Sequence, residues 1–309
     1  MTIRQPDSKR PFWNKYRTDT AFAYALLLPA FTALALVIFF PILRGIAMSF
    51  FKYTFATMRT GPVWNDFANY KALFRSGDFF EYLKNTLAYM LCSVSLQFLI
   101  AMSVALLLNT AVRGRTVLRG LFLVSWTVPS VVAAILWCWI FQPQYGIMNY
   151  LLSSLGLLGD PNMQWLQNPR YALLTVVAAS LWKSGPYMIV MLLAGLQSVR
   201  EDLIEAAAID GASRLQIFFH IMIPGIRSVL DTTLIISVLS AFQQFTITYN
   251  MTGGGPITAT TTLSIAAYKA AFTKMDLGLG SAIGVLWLIL LSAITLFYNI
   301  KSRRFEDVE

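Results

Sequence analysis

Apolar residues in this chain come in long runs, not in the one-faced or alternating patterns of a soluble core. Six runs stand out, over 21–48, 86–109, 118–141, 171–196, 229–250 and 280–300. Each holds about 20 residues or more, enough for a helix to cross roughly 30 Å of hydrocarbon. The pattern therefore predicts an all-α integral membrane protein with six transmembrane helices in one domain over 21–300, with short tails at 1–20 and 301–309. An even number of spans puts both termini on the same side of the membrane. The 51–85 segment carries Gly61-Pro62, Trp64 and further aromatics through Tyr82, and is expected to lie outside with a short helix on the membrane surface. No tandem repeat, low-complexity tract or flexible linker interrupts the runs.

Composition agrees with a bilayer. Of the 309 residues 57% are hydrophobic and only 13% charged, against about 25% charged in an ordinary soluble domain. A net charge of +9 would suggest nucleic acid in a soluble protein. Here the basic residues instead flank the apolar runs: Arg4, Lys9, Arg10, Lys15 and Arg17 before the first, Arg113, Arg115 and Arg119 around the start of the third, Lys301, Arg303 and Arg304 after the last. The positive-inside rule makes that side the cytoplasm, so both termini are expected there and nucleic acid is not expected as a partner. The basic start resembles a signal peptide. The run behind it is too long, however, and Pro41 and Arg44 follow with no small-residue cleavage site, so a retained first span is expected. Cys92 and Cys138 fall inside runs and are read as buried, inert thiols.

The loop 198–228 is the most informative segment. Asp202 to Ile209 reads as a short helix with acidic residues near its positive end. Gly211 suits a left-handed turn that ends it, and Ser213 suits the cap of a second helix. Ala206, Ala207, Ala208 and Ala212 leave a narrow surface that another protein can approach closely, with Leu203, Ile217 and Phe218 as apolar contacts. On the residues alone, a docking element and an ordinary amphipathic connection both remain open.

The segment EAAAIDGASRLQIFFHIMIP at 205–224 resembles the EAA loop of ABC importer permeases, with Glu205, Ala206 and Ala207 followed by Asp210, Gly211 and Ala212. AGLQSV at 194–199, WTVPSVVAAILW at 126–137, PQYGIMNYLL at 143–152 and MTGGGP at 251–256 are similar to sugar permeases of the maltose and glycerol-phosphate transporter class. The resemblance runs from about 22 to 304. It implies a type I ABC importer permease fold in the bacterial cytoplasmic (inner) membrane, with the EAA loop as a cytoplasmic coupling helix. It also implies partners: a second homologous permease, two ATP-binding subunits that hold ATP and Mg, an extracytoplasmic solute-binding protein, a sugar substrate and membrane lipid. The chain departs at Gln243 and Gln244, where many relatives carry Asp.

Other chemistry is hard to find in the sequence. No G-x-x-x-x-G-K-[ST] loop is present to cradle ATP, so no enzymatic activity and no cofactor are expected in this chain. The single histidine, His220, lacks neighbours at metal-ligand spacing and is read as structural. An ion-coupled secondary transporter and a membrane scaffold without transport are the rival readings. The first lacks the several acids that a proton relay needs inside spans; the second leaves a polar and aromatic set on three runs unexplained.

Polar groups within a span should face the bundle or a water-filled cavity. Lys183 sits in Trp182-Lys183-Ser184-Gly185-Pro186-Tyr187, where Gly and Pro are expected to open the helix toward a cavity. A cavity-facing cation and a structural cation bound to carbonyls both fit it. Asp231, at the start of the fifth run, complements a helix dipole and is read as structural. The family resemblance carries sugar-contacting positions to Trp126 and Ser130 in run three, Ser180, Lys183, Ser184 and Tyr187 in run four, and Ser237, Ser240 and Ala241 in run five. Gln244 is expected on the same helical side as Ser237 and Ser240. Ala241 cannot bond a hydroxyl through its side chain, which leaves an anionic sugar paired with Lys183 as one reading.

Overall fold

The computed structural model describes residues 12–110 and 114–306. Arg4, Lys9, Arg10 and Arg113 of the basic clusters lie outside them. Helix α1 (Phe12–Leu34) passes through a π-wound stretch, Ala35–Phe39, into α2 (Phe40–Met48). A small antiparallel ribbon follows, β1 (Phe51–Lys52) with β2 (Val63–Trp64), and then the surface helix α3 (Ala68–Ser76). The ribbon pairs Phe51 with Trp64 and Lys52 with Val63. Helix α4 (Asp78–Asn109) is the second span and starts eight residues ahead of its apolar run.

The third run is not one straight span. It forms α5 (Arg115–Thr127) and α6 (Ser130–Ile140), bent against each other by 100°. Pro129 disfavours helical backbone at the residue before it, and here Val128 is extended, at φ −63° and ψ 131°. Helix α7 (Ile147–Ser154) lies in the next connection, and α8 (Ala172–Ser198) is the fourth span. The loop behind it holds α9 (Glu201–Ile209), α10 (Arg214–Ile217), a π-wound stretch over Phe218–Met222 and α11 (Ile223–Gly225). The fifth span is also interrupted: α12 (Arg227–Phe242) stops at Gln243, and α13 (Thr246–Thr252) resumes. Helix α14 (Leu263–Tyr268), a third π-wound stretch (Lys269–Thr273) and α15 (Leu277–Glu306) complete the chain. Both terminal helices run beyond the limits expected for the spans. Among the described residues, five helices are long and apolar enough to cross a membrane, and the bent pair makes a sixth.

The bundle is organised on α4 and α8, its most extensively packed pair. Ala101, Ala105 and Leu108 of α4 bury against Met188, Leu192 and Leu196 of α8, and Ile226 closes this core at the end nearest the loop 198–228. Small residues let helices approach: a Cβ on Gly195 would come within 3.2 Å of Val229 on α12. Side chains of the first span from Phe22 to Phe40 are all exposed in this chain. Burying apolar surface inside the bundle thus accounts for α4, α8, α12 and α15, whereas hydropathy alone carries α1.

Candidate functional site

Helix α8 runs unbroken through Gly185-Pro186, contrary to the opening expected there. Pro186 is buried, and Gln97 of α4 donates from Nε2 to the Ser184 carbonyl at 3.0 Å. Neighbouring groups of this kind keep a proline-bearing helix intact inside a membrane. The cavity wall is opened by α5 and α6 instead. The last carbonyls of a helix have no partner within it, and Lys183 Nζ donates to one of them, the Trp126 carbonyl at the end of α5. Its charge complements the negative end of that helix. Lys183 is therefore both a cap for the break and a cavity-lining group.

Around this break lies a cavity of about 370 Å³. All ten positions expected from the sequence line it: Trp126 on α5, Ser130 on α6, Ser180, Lys183, Ser184 and Tyr187 on α8, Ser237, Ser240 and Ala241 on α12, and Gln244. Gln244 reaches it by a different route from the one expected. The helix has ended at Phe242, so Gln244 enters from the break, where its Oε1 accepts from the Phe245 amide at 3.0 Å and its carbonyl accepts from Ser264 Oγ at 2.8 Å. The rings of Trp126 and Tyr187 stand 6.2 Å apart, tilted by 39°, and form an aromatic corner.

The fourth wall was missed in the sequence. Tyr89, Ser93 and Gln97 of α4 face the cavity, and Tyr89 donates to Ser180 Oγ at 2.7 Å. Their spacing of four residues puts them on one helical face, a signal present in the sequence. Ile236 and Ile247 also line the wall, and nothing in their neighbourhood distinguished them. Ser93 Oγ and Ser237 Oγ are buried and find no partner among the described residues. Lys183 is the one charged side chain among the lining residues. The arrangement offers an aromatic face beside hydroxyl, amide and ammonium groups, which suits a polyhydroxylated solute.

At the other end of α8 stands the loop with Glu205, Ala206, Ala207, Asp210, Gly211 and Ala212. Helix α9 ends in a Schellman turn: the Ala212 amide reaches the Ala207 carbonyl at 2.9 Å, and the Gly211 amide reaches Ala208 at 3.2 Å. Gly211 holds φ +83°. Ser213 caps α10 through a reciprocal box with Gln216, with the Ser213 amide 2.7 Å from Gln216 Oε1. Arg200 pairs with Asp202 and holds its carboxyl below its ordinary value. The apolar contacts differ from those expected. Ile217 is buried and Phe218 packs on the α4–α8 core, while Leu203, Ile209, Leu215 and Phe219 face outward, Ile209 with 86% of its surface exposed. Asp231 pairs with Arg227 one turn earlier at 3.8 Å on the surface. His220 is exposed and its Nδ1 lies 3.1 Å from the Gln216 carbonyl. No group of His, Cys, Asp and Glu suited to a metal exists among the described residues.

Comparison with known proteins identifies the chain. The trehalose/maltose transport system permease protein MalF of Thermococcus litoralis is 35% identical over 292 residues, covering 94% of this chain and 96% of that protein. The sulfoquinovosyl glycerol transport system permease protein SmoG of Agrobacterium fabrum is 33% identical, covering 96% of each. The crystal structure of a bacterial ABC transporter that imports the acidic polysaccharide alginate contains a chain of the same fold, with a TM-score of 0.78 at 24% identity over 96% of this chain and 99% of that one. Residues 97–307 match the family model of the binding-protein-dependent transport system inner membrane component, and the chain belongs to that family, as a multi-pass permease subunit of an ABC importer.

Proposed function

We propose that this permease passes a sugar or sugar derivative across the cytoplasmic membrane by alternating access, with both termini in the cytoplasm. The observation that carries the reading is the convergence of α4, α5, α6, α8, α12 and α13 on one cavity, with the Trp126–Tyr187 corner beside hydroxyl, amide and ammonium groups. The transport systems named for the relatives, trehalose/maltose and sulfoquinovosyl glycerol, support the same class of solute. In this reading two partner subunits bind ATP and Mg and hydrolyse the nucleotide, and an extracytoplasmic binding protein delivers the solute. A second homologous permease supplies the other wall and, with lipid, covers the exposed first span. Helix α9 seats in the ATP-binding partner, and its motion reaches the cavity through Phe218, Met222 and Ile223, which pack on the α4–α8 core.

The test is uptake by the complete complex in proteoliposomes, with a panel of neutral and acidic sugars presented by the binding protein. Trp126→Ala, Tyr187→Ala, Ser237→Ala and Gln244→Ala should each lower uptake while the complex assembles normally. Normal transport by all four variants would remove this cavity as the sugar site.

A further inference from the structure

A second chamber, of about 220 Å³, lies below the first toward the end that carries the coupling loop. Its walls continue the same helical faces. On α8 the first cavity takes Ser180, Lys183, Ser184 and Tyr187, and the second takes Val190, Ala194 and Gln197 together with Ile189 and Leu193 of the buried α4–α8 core. From Lys183 through Tyr187, Val190 and Ala194 to Gln197 the steps are four, three, four and three residues, the spacing that keeps side chains on one face of a helix. On α5 the first cavity takes Trp126, and the second takes Leu123, Phe122 and Arg119, which lie three, four and seven residues back. Seven residues of helix amount to about 10 Å of travel. The lower chamber is thus mainly apolar, Phe122, Leu123 and Val190 among its walls, and its polar groups are Arg119 and Gln197.

Arg119 is not posed as a surface cation. A basic residue at a membrane interface ordinarily extends its head toward lipid headgroups and water. Here the guanidinium turns inward: one terminal nitrogen reaches the Leu108 carbonyl of α4 at 3.5 Å. Its Nε is buried and has no partner among the described residues. A buried charged donor without a partner is costly, and a hydrogen-bond acceptor arriving in the chamber would relieve it.

We infer that this chamber is an exit station on the translocation route, in which Arg119 and Gln197 take over the oxygens of the solute while Phe122, Leu123 and Val190 form its apolar wall. Guanidinium only donates, so the station suits the hydroxyl oxygens of a sugar or an acidic substituent on it. Its assignment to sugar rests on the function proposed above; its place on an aqueous route does not.

The experiment uses the assembled complex in vesicles, with Cys92 and Cys138 replaced by alanine and a single cysteine introduced as Ala194→Cys, or Val190→Cys as a second site. Leu121→Cys, on the exposed opposite side of α5, serves as the lipid-facing control. A charged, membrane-impermeant methanethiosulfonate applied from the cytoplasmic side should label positions 194 and 190 at rates that change when ATP or vanadate shifts the complex between states. Position 121 should react only with a lipid-soluble maleimide. Arg119→Gln should lower maximal uptake several-fold, and Arg119→Lys should restore part of it. Withdrawing anionic lipid should leave the wild type unchanged. Reaction of 194 and 190 with the lipid-soluble reagent alone would overturn the inference, as would a lipid dependence of uptake that Arg119→Gln abolishes. Labelling by the charged reagent that no sugar slows would uphold the route and count against the sugar assignment.

Discussion

The turn at Gly211 offers the sharpest test of how the loop works. At φ +83° its backbone occupies the left-handed region, yet among the described residues nothing beyond its chain neighbours lies within 4 Å of where a Cβ would stand. A side chain at this position therefore strains the backbone without meeting a clash inside the chain. For an L-residue the left-handed conformation costs roughly 1–2 kcal/mol, more for a β-branched side chain and least for Asn, which adopts it readily. An energy of that size moves an equilibrium by about 5- to 30-fold. The turn carries the Ala212–Ala207 and Gly211–Ala208 bonds that close α9, so the strain loosens the end of the helix that, in the function proposed above, seats in the ATP-binding partner. The measurement is uptake together with binding-protein-stimulated ATPase activity in the reconstituted complex, for Gly211, Asn, Ala and Val at this position. Both activities should fall together in that order, with assembly preserved. If Val behaves as Gly does, the turn is a passive connection. If Asn is as damaging as Val, crowding against a partner surface is the cause, and the backbone argument fails.

Two further outcomes follow from packing. Tyr89→Phe removes the bond to Ser180 and should lower the stability of the solubilised complex by about 0.5–1.5 kcal/mol; Ser180→Ala added to it should cost less than its effect alone, and full additivity in thermal unfolding would contradict the shared bond. Gly195→Val pushes against Val229 on α12, where even a Cβ sits at 3.2 Å, and should destabilise by about 1–3 kcal/mol, whereas Gly284→Ala, with open space at its Cβ, should be near neutral in the same assay.

Features governed by neighbouring residues were legible in the sequence. The capping chemistry of Ser213 and Gly211 acts within a few residues, and the helix, turn and second helix follow from it directly. The cavity positions came from family resemblance. Their convergence required helices from distant parts of the chain to meet, which periodicity does not report. Hydropathy registered 118–141 as one run because it sums apolarity without direction; Pro129, which turns the chain by 100°, was visible but carries no weight in such a sum. Tyr89, Ser93 and Gln97 were equally visible, as three polar residues repeating every fourth position in an apolar run. The outward turn of Ile209 and Phe219, with Ile217 held inside, depends on how the π-wound stretch rotates the loop, and no local rule supplies that rotation.

That same stretch, Phe218–Met222, separates α9 and α10 from the anchored residue Ile226. A π turn holds more residues than the α turn it replaces, and each residue advances the direction of a helix by about 100°. The aim of α9 consequently depends on the count of residues in this stretch as well as on the side chains, Phe218 and Met222, that pack on the core. Deleting one residue within 218–222 lets the segment rewind as an α-helix, leaves the core-facing residues beyond it seated, and swings Ile209 to another bearing. In the function proposed above, length variation at this one point is a means of re-aiming the loop toward a differently shaped ATP-binding partner while the cavity stays as it is.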